Sequence, residues 1–332
     1  MTDKLQVILG CMTFGESGGG SRVKTNEEAQ AIIDTFHHKY GHTQLDTARI
    51  YCDGQTEQMM GNLNLTGLTV DTKVFPLQLG GLAPEKVKQS LLASLKALQT
   101  DKVQVFYLHA PDYATPIEET LKAVNELHQE GHFEELGLSN YPAYMVDRIY
   151  YICKINGYVL PTVYQGMYNA FTRHIEPELF ACLEDLNIRF RAYNPLCGGI
   201  LTGSFVFDAT VDQGSRFDSN TKQGARYRER YWHESYFTAV KQLKAVCDRH
   251  GLSVVQVAFD WLQFHSKLEH GRGDAIIIGA SSMKHTIDNL DALANGKPLP
   301  ADVLAKVNEC WEQTRESAPS YFRTKDQMLG PR

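Results

Sequence analysis

The sequence predicts an α/β fold, a (β/α)8 TIM barrel formed as a single domain with long loops at the C-terminal face of the strands. Eight short apolar or β-branched runs recur along the 332 residues, and each is followed by a longer segment with helical spacing. No Gly-, Ser- or Pro-rich linker and no change of composition divides the chain in its middle. Residues 1–332 are therefore expected to form one barrel domain.

Each predicted strand is a short run rich in apolar and β-branched residues. Strand and helix in steady alternation imply parallel pairing with right-handed crossovers, and eight such units favour a closed barrel over an open doubly wound sheet. The strands are predicted at residues 6–10, 43–47, 68–74, 103–109, 134–139, 161–166, 189–194 and 275–280.

The helices between the strands have recognisable N-terminal signals. Thr25 precedes a first turn rich in acidic residues, and Pro84 opens a helix with an apolar stripe that includes Leu91 and Leu95. The remaining helix starts are predicted at Thr115-Pro116, Pro142, Glu176-Pro177, Ser253 and Pro300.

Two segments fall outside the repeating units. Residues 199–232 are too long and too polar for a simple connection, so they are predicted to form a long loop over the active face. Residues 317–332 are predicted to be a C-terminal tail, and the nine residues that follow SYFR either cover the site or leave it. Three glycines at 18–20 are expected to make the first strand-to-helix loop flexible.

The composition excludes several classes of function. A net charge of -6 and a pI near 6.1 argue against a nucleic-acid partner, because phosphate neutralisation needs clustered Lys and Arg. No apolar run approaches the ~20 residues of a membrane span, and the N-terminus lacks a signal-peptide pattern. Seven scattered cysteines without metal-ligand spacing indicate reduced thiols, so we expect a cytoplasmic protein without a metal site.

Polar side chains stand at the C-terminal ends of consecutive predicted strands, where the loops of a barrel form the active face. Asp46 and Tyr51 follow the second strand, Lys73 lies near the end of the third, and His109 ends the fourth. Each has a structural explanation when taken singly: a turn cap, a gap-filling phenol, a surface lysine, a hydrogen-bonded core histidine. The joint pattern is much harder to obtain from structural needs alone.

Several motifs in the chain resemble aldo-keto reductase signatures: LDTARIYCDGQTE, VDTKVFP, VFYLHAPD, ELGLSNY and PTVYQGMYN. YQGMYN, RYRERYW and SYFR resemble in particular the aflatoxin-aldehyde-reductase-like, succinic-semialdehyde-reducing branch. The resemblance runs in order from about residue 5 to residue 323. It implies NADPH-dependent reduction of small-molecule aldehydes, with dicarbonyls as further candidates, and it suggests a homodimer because dimers occur in this branch.

The resemblance assigns the catalytic tetrad to Asp46, Tyr51, Lys73 and His109. Tyr51 is the general acid that protonates the carbonyl oxygen. A free phenol has a pKa of about 10, and Lys73 is expected to lower it while Asp46 holds Lys73 in place by a buried ion pair. His109 is expected to donate an N–H to the carbonyl oxygen and so to polarise it.

No G-x-G-x-x-G motif follows a predicted strand, so the sequence does not indicate a Rossmann dinucleotide site. The resemblance implies NADPH lying across the strand ends. Ser139, Asn140 and Gln165 match residues that bind the nicotinamide carboxamide. Tyr193 matches an aromatic that stacks on the nicotinamide ring, with core packing as the alternative.

Two further segments match the phosphate sites of the family. In NPLCGGILTG (194–203) glycines allow backbone N–H groups to approach a pyrophosphate, although Ser204 stands where the branch often has a lysine. In IIIGASSMKHTIDNL (276–290) a helix N-terminus is expected to hold the 2′-phosphate, although many members carry Lys and Arg where this chain has Gly and His. The residues assigned are Asn194, Leu196, Gly198, Gly279, Ser281, Ser282, His285 and Asn289.

The resemblance places Arg230 and Arg323 at the substrate end, where they would bind a carboxylate. The alternative is that RYRERYW is a solvated basic helix face, which we favour for Arg226 and Arg228. A rival function is a nicotinamide-binding sensor or regulatory barrel with little turnover, since some regulatory members keep the tetrad. The apolar walls of the substrate pocket are assigned to Met12, Tyr227, Trp232 and Phe322.

Overall fold

The computed structural model of the protein describes residues 4–212 and 214–329. Eight parallel strands close into a barrel in chain order, confirming the predicted (β/α)8 fold. The barrel closes where β1 pairs with β8 over its whole length. Every predicted strand matches the observed one to within one residue at each end. The strands are β1 Gln6–Gly10, β2 Gln44–Asp46, β3 Thr69–Val74, β4 Val103–Leu108, β5 Phe133–Ser139, β6 Pro161–Met167, β7 Arg189–Tyr193 and β8 Ala275–Gly279.

The helices surround the barrel and begin largely where the sequence predicts. The Thr25 hydroxyl accepts from the backbone N–H of Glu28 at 3.2 Å, and Pro84 is the first residue of its helix. The sixth helix begins two residues after Pro177. The helices are α1 Asn26–Asp34, α2 Gln55–Gly61, α3 Pro84–Leu98, α4 Ile117–Gln129, α5 Ala143–Asn156, α6 Leu179–Asp185, α7 Lys222–Tyr231, α8 Glu234–Arg249, α9 Val254–Phe264, α10 Met283–Ala294, α11 Ala301–Thr314 and α12 Lys325–Leu329.

The segment 199–232 is not a loop throughout, because helix α7 forms its C-terminal third. The Thr221 hydroxyl caps this helix by accepting from the Gly224 N–H at 2.9 Å. A side chain at position 224 would lie 1.9 Å from the Asp218 carbonyl oxygen, so only glycine lets the loop fold back on the helix start. An aromatic cluster then fixes the segment to α8, formed by Phe205, Phe207, Phe217, Trp232 and Phe237.

The C-terminal tail lies against the loop that follows β5. The Tyr321 hydroxyl donates to Glu178 at 2.9 Å, and the Arg323 N–H donates to the Asn140 carbonyl at 3.0 Å. The Tyr113 hydroxyl donates to the Arg323 carbonyl at 2.6 Å. The tail up to Arg323 is thus held against the active face. Residues 330–332, the end of the predicted tail, lie outside the described part of the chain.

The barrel interior contains both apolar and ionic layers. Small apolar clusters form around Ile8 and Ile277 and around Val105 and Val163, apart from the large core between strands and helices. Near the N-terminal ends of the strands, Glu135 accepts hydrogen bonds from Gln104, Thr162 and Arg189. Because side chains alternate between the two faces of a strand, the interior is built as stacked layers of every second residue.

Within residues 4–212 and 214–329 no helix combines the length and apolar content needed to cross a bilayer. In the same residues no group of three or more His, Cys, Asp or Glu side chains is placed to hold a metal ion. All seven cysteines are unpaired, and six of them are buried. Burial raises the pKa of Cys153 and of Cys310 to about 12, so these thiols stay protonated and unreactive near neutral pH.

Candidate active site

A buried ion pair between Lys73 and Asp46 lies at the C-terminal end of the barrel. The Lys73 Nζ donates to Asp46 Oδ2 at 2.7 Å and to the Thr47 carbonyl oxygen at 2.7 Å. The lysine is 0% exposed and the aspartate 4% exposed. An unpaired ammonium would be very costly there, so the carboxylate and the carbonyl together make the charge tolerable.

Gln165 is the second partner of this carboxylate. Its Nε2 donates to Asp46 Oδ1 at 2.8 Å, so both oxygens of Asp46 are held. A carboxylate only accepts hydrogen bonds, and therefore the amide must present its NH2 group to Asp46. The Gln165 Oε1 then remains available for another donor.

Tyr51 opens a 3₁₀ turn that lies in sequence between Asp46 and Lys73, the two members of the ion pair. Cys52 and Asp53 in this turn have left-handed backbone angles, with φ of 47° and 56°. The Cys52 thiol donates to the Met12 carbonyl at 3.3 Å and fixes the turn against the loop after β1. The Lys73 Nζ lies 5.1 Å from the centroid of the Tyr51 ring, so the turn brings the phenol over the buried ammonium.

The pKa of the Tyr51 phenol is raised well above its ordinary value. Burial is the main cause, and Asp46, Tyr227 and Tyr193 raise it further, while Arg230 acts in the opposite direction. This direction is the reverse of the predicted lowering by Lys73. Desolvation of the buried phenol is the largest cause, and it outweighs the lowering that was expected from the Lys73 ammonium. Tyr51 therefore stays protonated at neutral pH.

His109 faces Tyr51 across the site, with ring centroids 5.9 Å apart and planes at 81°. Burial lowers its pKa well below the ordinary value, and the cations Lys73, Arg323 and Arg230 lower it further. The imidazole is consequently neutral near pH 7 and carries one N–H. Its Nδ1 is buried and has no hydrogen-bond partner among the described residues.

Ser139, Asn140, Gln165 and Tyr193 converge at the ends of β5, β6 and β7. The Asn140 Nδ2 donates to the His109 carbonyl and to the Ser139 Oγ, both at 2.9 Å, and the Tyr193 hydroxyl donates to Asn140 Oδ1 at 2.7 Å. Both N–H groups of the Asn140 amide are therefore occupied. Among the described residues, nothing accepts the Ser139 hydroxyl hydrogen, and one lone pair of Asn140 Oδ1 has no donor.

The loop after β7 packs closely on α7. Gly198 has a φ of 68°, and a side chain there would lie 2.6 Å from the Tyr227 ring. The Tyr227 hydroxyl donates to Asn194 Oδ1 at 3.3 Å. Gly198 is therefore required for the contact with Tyr227, a role that the assigned phosphate contact did not include. Leu196 begins the tight turn and is partly exposed.

The end of β8 gathers the other residues assigned to a phosphate. The Ser282 hydroxyl caps α10 by accepting from the His285 N–H at 3.2 Å, and the Ser281 hydroxyl lies 3.0 Å from the His285 Nδ1. The Asn289 Nδ2 donates to the Gly279 carbonyl at 3.4 Å, and Gly279 faces open space. These five residues form a cluster of donors at a helix N-terminus.

The charges of Arg230 and Arg323 both lower the pKa of His109, and Arg230 also lowers that of Tyr51. The Arg323 guanidinium lies 5.4 Å from the Phe75 ring centroid, and its Nε is buried without a partner among the described residues. Burial and the neighbouring Arg230 lower the pKa of Arg323 to about 10. In the part of the chain that the structure describes, neither arginine pairs with a carboxylate.

The other residues of RYRERYW divide between solvent and the aromatic cluster. Arg226 is exposed, as predicted. The same prediction for Arg228 is wrong: its Nε donates to the Phe217 carbonyl at 2.6 Å and its guanidinium lies 4.3 Å from the Trp232 ring centroid. Trp232, assigned to the substrate wall, donates to the Phe207 carbonyl and anchors the segment 199–232.

Met12 and Phe322, both assigned to the substrate wall, are partly exposed. Met12 is partly exposed beside the Tyr51 turn, and Phe322 packs edge-on against Tyr321 with ring centroids 5.0 Å apart. Phe75, which the sequence reasoning missed, contacts both His109 and Arg323 through its ring. Its signal was available, because it directly follows β3 and so opens the loop at the C-terminal end of that strand.

The family comparison covers most of the chain. The model of the Aldo/keto reductase family matches residues 6–312. Aflatoxin B1 aldehyde reductase member 2 of Homo sapiens is 45% identical, with 95% of this chain and 89% of the relative covered. Aldo-keto reductase family 7 member A3 of Homo sapiens is 41% identical over 95% and 96%. Aldo-keto reductase pigE of Monascus ruber is 36% identical over 96% and 97%.

Proposed function

Since the chain belongs to the aldo/keto reductase family, an oxidoreductase family, we propose that it reduces aldehydes, and by extension dicarbonyls, to alcohols with NADPH and with Tyr51 as general acid. The observation that carries this proposal is the buried Lys73–Asp46 pair at 2.7 Å beneath the Tyr51 ring. A protonated phenol, a buried ammonium and a neutral imidazole meet at one point. These are the groups that protonating a carbonyl oxygen requires.

The residues divide the chemistry between them. Bound NADPH would supply the hydride that adds to the carbonyl carbon. Tyr51 donates its proton to the carbonyl oxygen, and Lys73 stabilises the phenolate that remains. His109 donates its N–H to the same oxygen as negative charge develops there. Its imidazole is neutral and carries one N–H, which is available for this hydrogen bond.

The residues at the ends of β5 and β6 suit the carboxamide of nicotinamide. A carboxamide offers one acceptor oxygen and two N–H donors. The free hydroxyl hydrogen of Ser139 matches the acceptor oxygen, while Asn140 Oδ1 and Gln165 Oε1 match the two N–H groups. In this assignment Asn140 takes part only as an acceptor, because His109 and Ser139 occupy its own N–H groups.

The preference for NADPH is assigned to the cluster at the N-terminus of α10. Replacing His285 with alanine is expected to weaken NADPH binding about two- to tenfold, the effect of one hydrogen bond to phosphate, and to leave NADH binding nearly unchanged. Quenching of protein fluorescence on titration with each cofactor measures both constants. Lys284→Ala is the matched control, since Lys284 is exposed and pairs with Asp288. Equal weakening for both cofactors would assign His285 a structural role instead.

The two arginines suit aldehydes that carry a carboxylate at the far end. Arg230→Leu and Arg323→Leu are each expected to raise the KM for a carboxylated aldehyde roughly ten- to a hundredfold, because a charge-assisted hydrogen bond is lost. The KM for an uncharged aldehyde of equal length should change far less. Arg226→Leu, on the exposed face of α7, is the control that should change neither constant. Equal effects on both aldehydes would contradict the carboxylate assignment.

Steady-state oxidation of NADPH with a panel of aliphatic, aromatic and carboxylated aldehydes tests the function itself. Turnover with at least one class of aldehyde supports the proposal. NADPH binding without turnover across the panel would favour the rival function, a nicotinamide-binding sensor or regulatory barrel. A fluorescence titration on the same preparation separates that outcome from a protein that binds no cofactor.

A further inference from the structure

A second buried ion pair lies one layer below the Lys73–Asp46 pair, and the proposed chemistry does not use it. The Arg191 Nη1 donates to Asp71 Oδ2 at 2.5 Å and to the Tyr107 hydroxyl at 2.7 Å. The Gln44 Nε2 donates to both Asp71 oxygens, at 3.0 and 3.1 Å. All three members of this ionic layer (Asp71, Tyr107 and Arg191) are buried in the barrel interior.

The strand register aligns this ionic layer with the residues of the candidate active site. Asp71 stands two residues before Lys73 on β3, so both side chains point to the barrel interior in successive layers. Lys73 is aligned with Tyr107, and its Nζ lies 5.6 Å from the Tyr107 ring centroid. Asp46 is aligned with Asp71, and Gln165 with Arg191. Each member of the ionic layer therefore neighbours one residue that shapes the acid–base site.

Stability alone does not explain this layer. The interior of such a barrel is most often filled by branched apolar residues, and a buried ion pair seldom stabilises a fold better than apolar packing would. The neighbouring strand also carries a glycine where the layer needs space. A side chain at Gly137 would lie 2.2 Å from the Tyr107 ring, so glycine is needed where the phenol crosses β5.

We propose that Asp71 and Arg191, braced by Tyr107, are positioning residues for carbonyl reduction that balance the charge beneath Lys73 and keep Tyr51 protonated. This inference rests on the proposed function of Tyr51 as general acid. The two layers together hold two cations and two carboxylates, so the interior beneath the phenol is close to neutral. Burial raises the pKa of Asp71 to about 6, and Arg191 is the main group that opposes this rise.

The direction in which the pKa of Tyr51 should change on loss of the Asp71 charge follows from the charges around the phenol. Loss of the Asp71 charge leaves one cation uncompensated, and a nearby cation favours the phenolate and lowers the pKa of Tyr51. The residues of the ionic layer are suited to a test because their side chains lie beneath those that face the phenol. The titratable and charged groups around Tyr51 are Cys11, Asp46, Lys73, His109, Tyr193, Tyr227, Arg230 and Arg323, with Asp71, Tyr107 and Arg191 beneath them.

The test is the pH profile of kcat/KM for aldehyde reduction in a set of charge variants. Asp71→Asn is expected to move the alkaline loss of activity to lower pH by about one unit, the size of an effect from one buried charge. Its kcat should fall while its Kd for NADPH stays unchanged. The double variant Asp71→Asn with Arg191→Gln removes both charges and should return the alkaline limb to the wild-type position. Arg191→Lys keeps the charge and should keep that limb.

Other outcomes distinguish a failure of this inference from a failure of the proposed function. An Asp71→Asn profile that superimposes on the wild type overturns this inference and leaves the proposed function intact. Wild type without turnover overturns both. If Asp71→Asn fails to fold, as judged by circular dichroism, Arg191→Gln replaces it as the test, because this change leaves one carboxylate uncompensated and should move the alkaline limb to higher pH, which the double variant should reverse. A folded Arg191→Gln variant with the wild-type limb overturns the inference.

Discussion

Tyr51→Phe should reduce kcat for aldehyde reduction by about 10²- to 10⁴-fold, the usual contribution of a positioned general acid. Phenylalanine keeps the ring that packs edge-on against His109 and removes only the hydroxyl that would donate the proton. NADPH oxidation under saturating cofactor measures the loss. The Kd for NADPH should stay within about twofold of wild type, since no assigned cofactor contact involves the Tyr51 hydroxyl.

The matched control is Tyr144→Phe, which removes the same hydroxyl from an exposed residue of α5. It should keep wild-type turnover. Full activity in Tyr51→Phe would contradict the assignment of the proton donor. Loss of both turnover and NADPH binding would instead indicate that the 3₁₀ turn at Tyr51–Gly54 had been disturbed.

Lys73→Met is expected to lower both activity and stability. The substitution leaves Asp46 buried with Gln165 as its remaining side-chain partner, and breaking a buried pair typically costs about 3–5 kcal/mol in the free energy of unfolding. The kcat should fall by about 10²-fold or more, because no ammonium remains to stabilise the phenolate. Urea unfolding followed by circular dichroism gives the first quantity, and NADPH oxidation the second.

A double variant separates the two effects. Lys73→Met combined with Asp46→Asn removes both charges, so much of the lost stability should return while activity stays low. The surface pair Lys244–Asp248 supplies the control: Lys244→Met should change the free energy of unfolding by less than about 1 kcal/mol. Recovery of activity in the double variant would show that Lys73 is not needed for turnover.

The strands and most helix starts could be predicted from the sequence because each is specified locally. A buried parallel strand is a short apolar run, and Thr25, Pro84 and Ser253 carry the capping signals of their helices. Helix α7 within 199–232 was anticipated only through the alternative that RYRERYW is a basic helix face, because its residues are mostly polar. Its buried side depends on an aromatic cluster assembled from distant positions, which no local pattern reveals.

The types of residue at the site were easier to predict than their environments. Strand-end positions brought Asp46, Tyr51, Lys73 and His109 into one prediction. The raised pKa of Tyr51 was not predictable, because burial is its main cause and Tyr227 and Tyr193 add to it from other parts of the chain. The direction of a pKa shift depends on burial and on neighbours in space, and sequence order gives neither.

The hydrogen bond from the Arg323 N–H to the Asn140 carbonyl has a consequence for protein engineering. It ties the arginine assigned to the substrate to a residue assigned to the cofactor, and Asn140 makes this link from a left-handed backbone with a φ of 62°. A tail grafted from a relative would have to dock on this same carbonyl. The tail that carries Arg323 should therefore not be exchanged alone. We expect a chimera to succeed only if the tail and the loop after β5 are exchanged together.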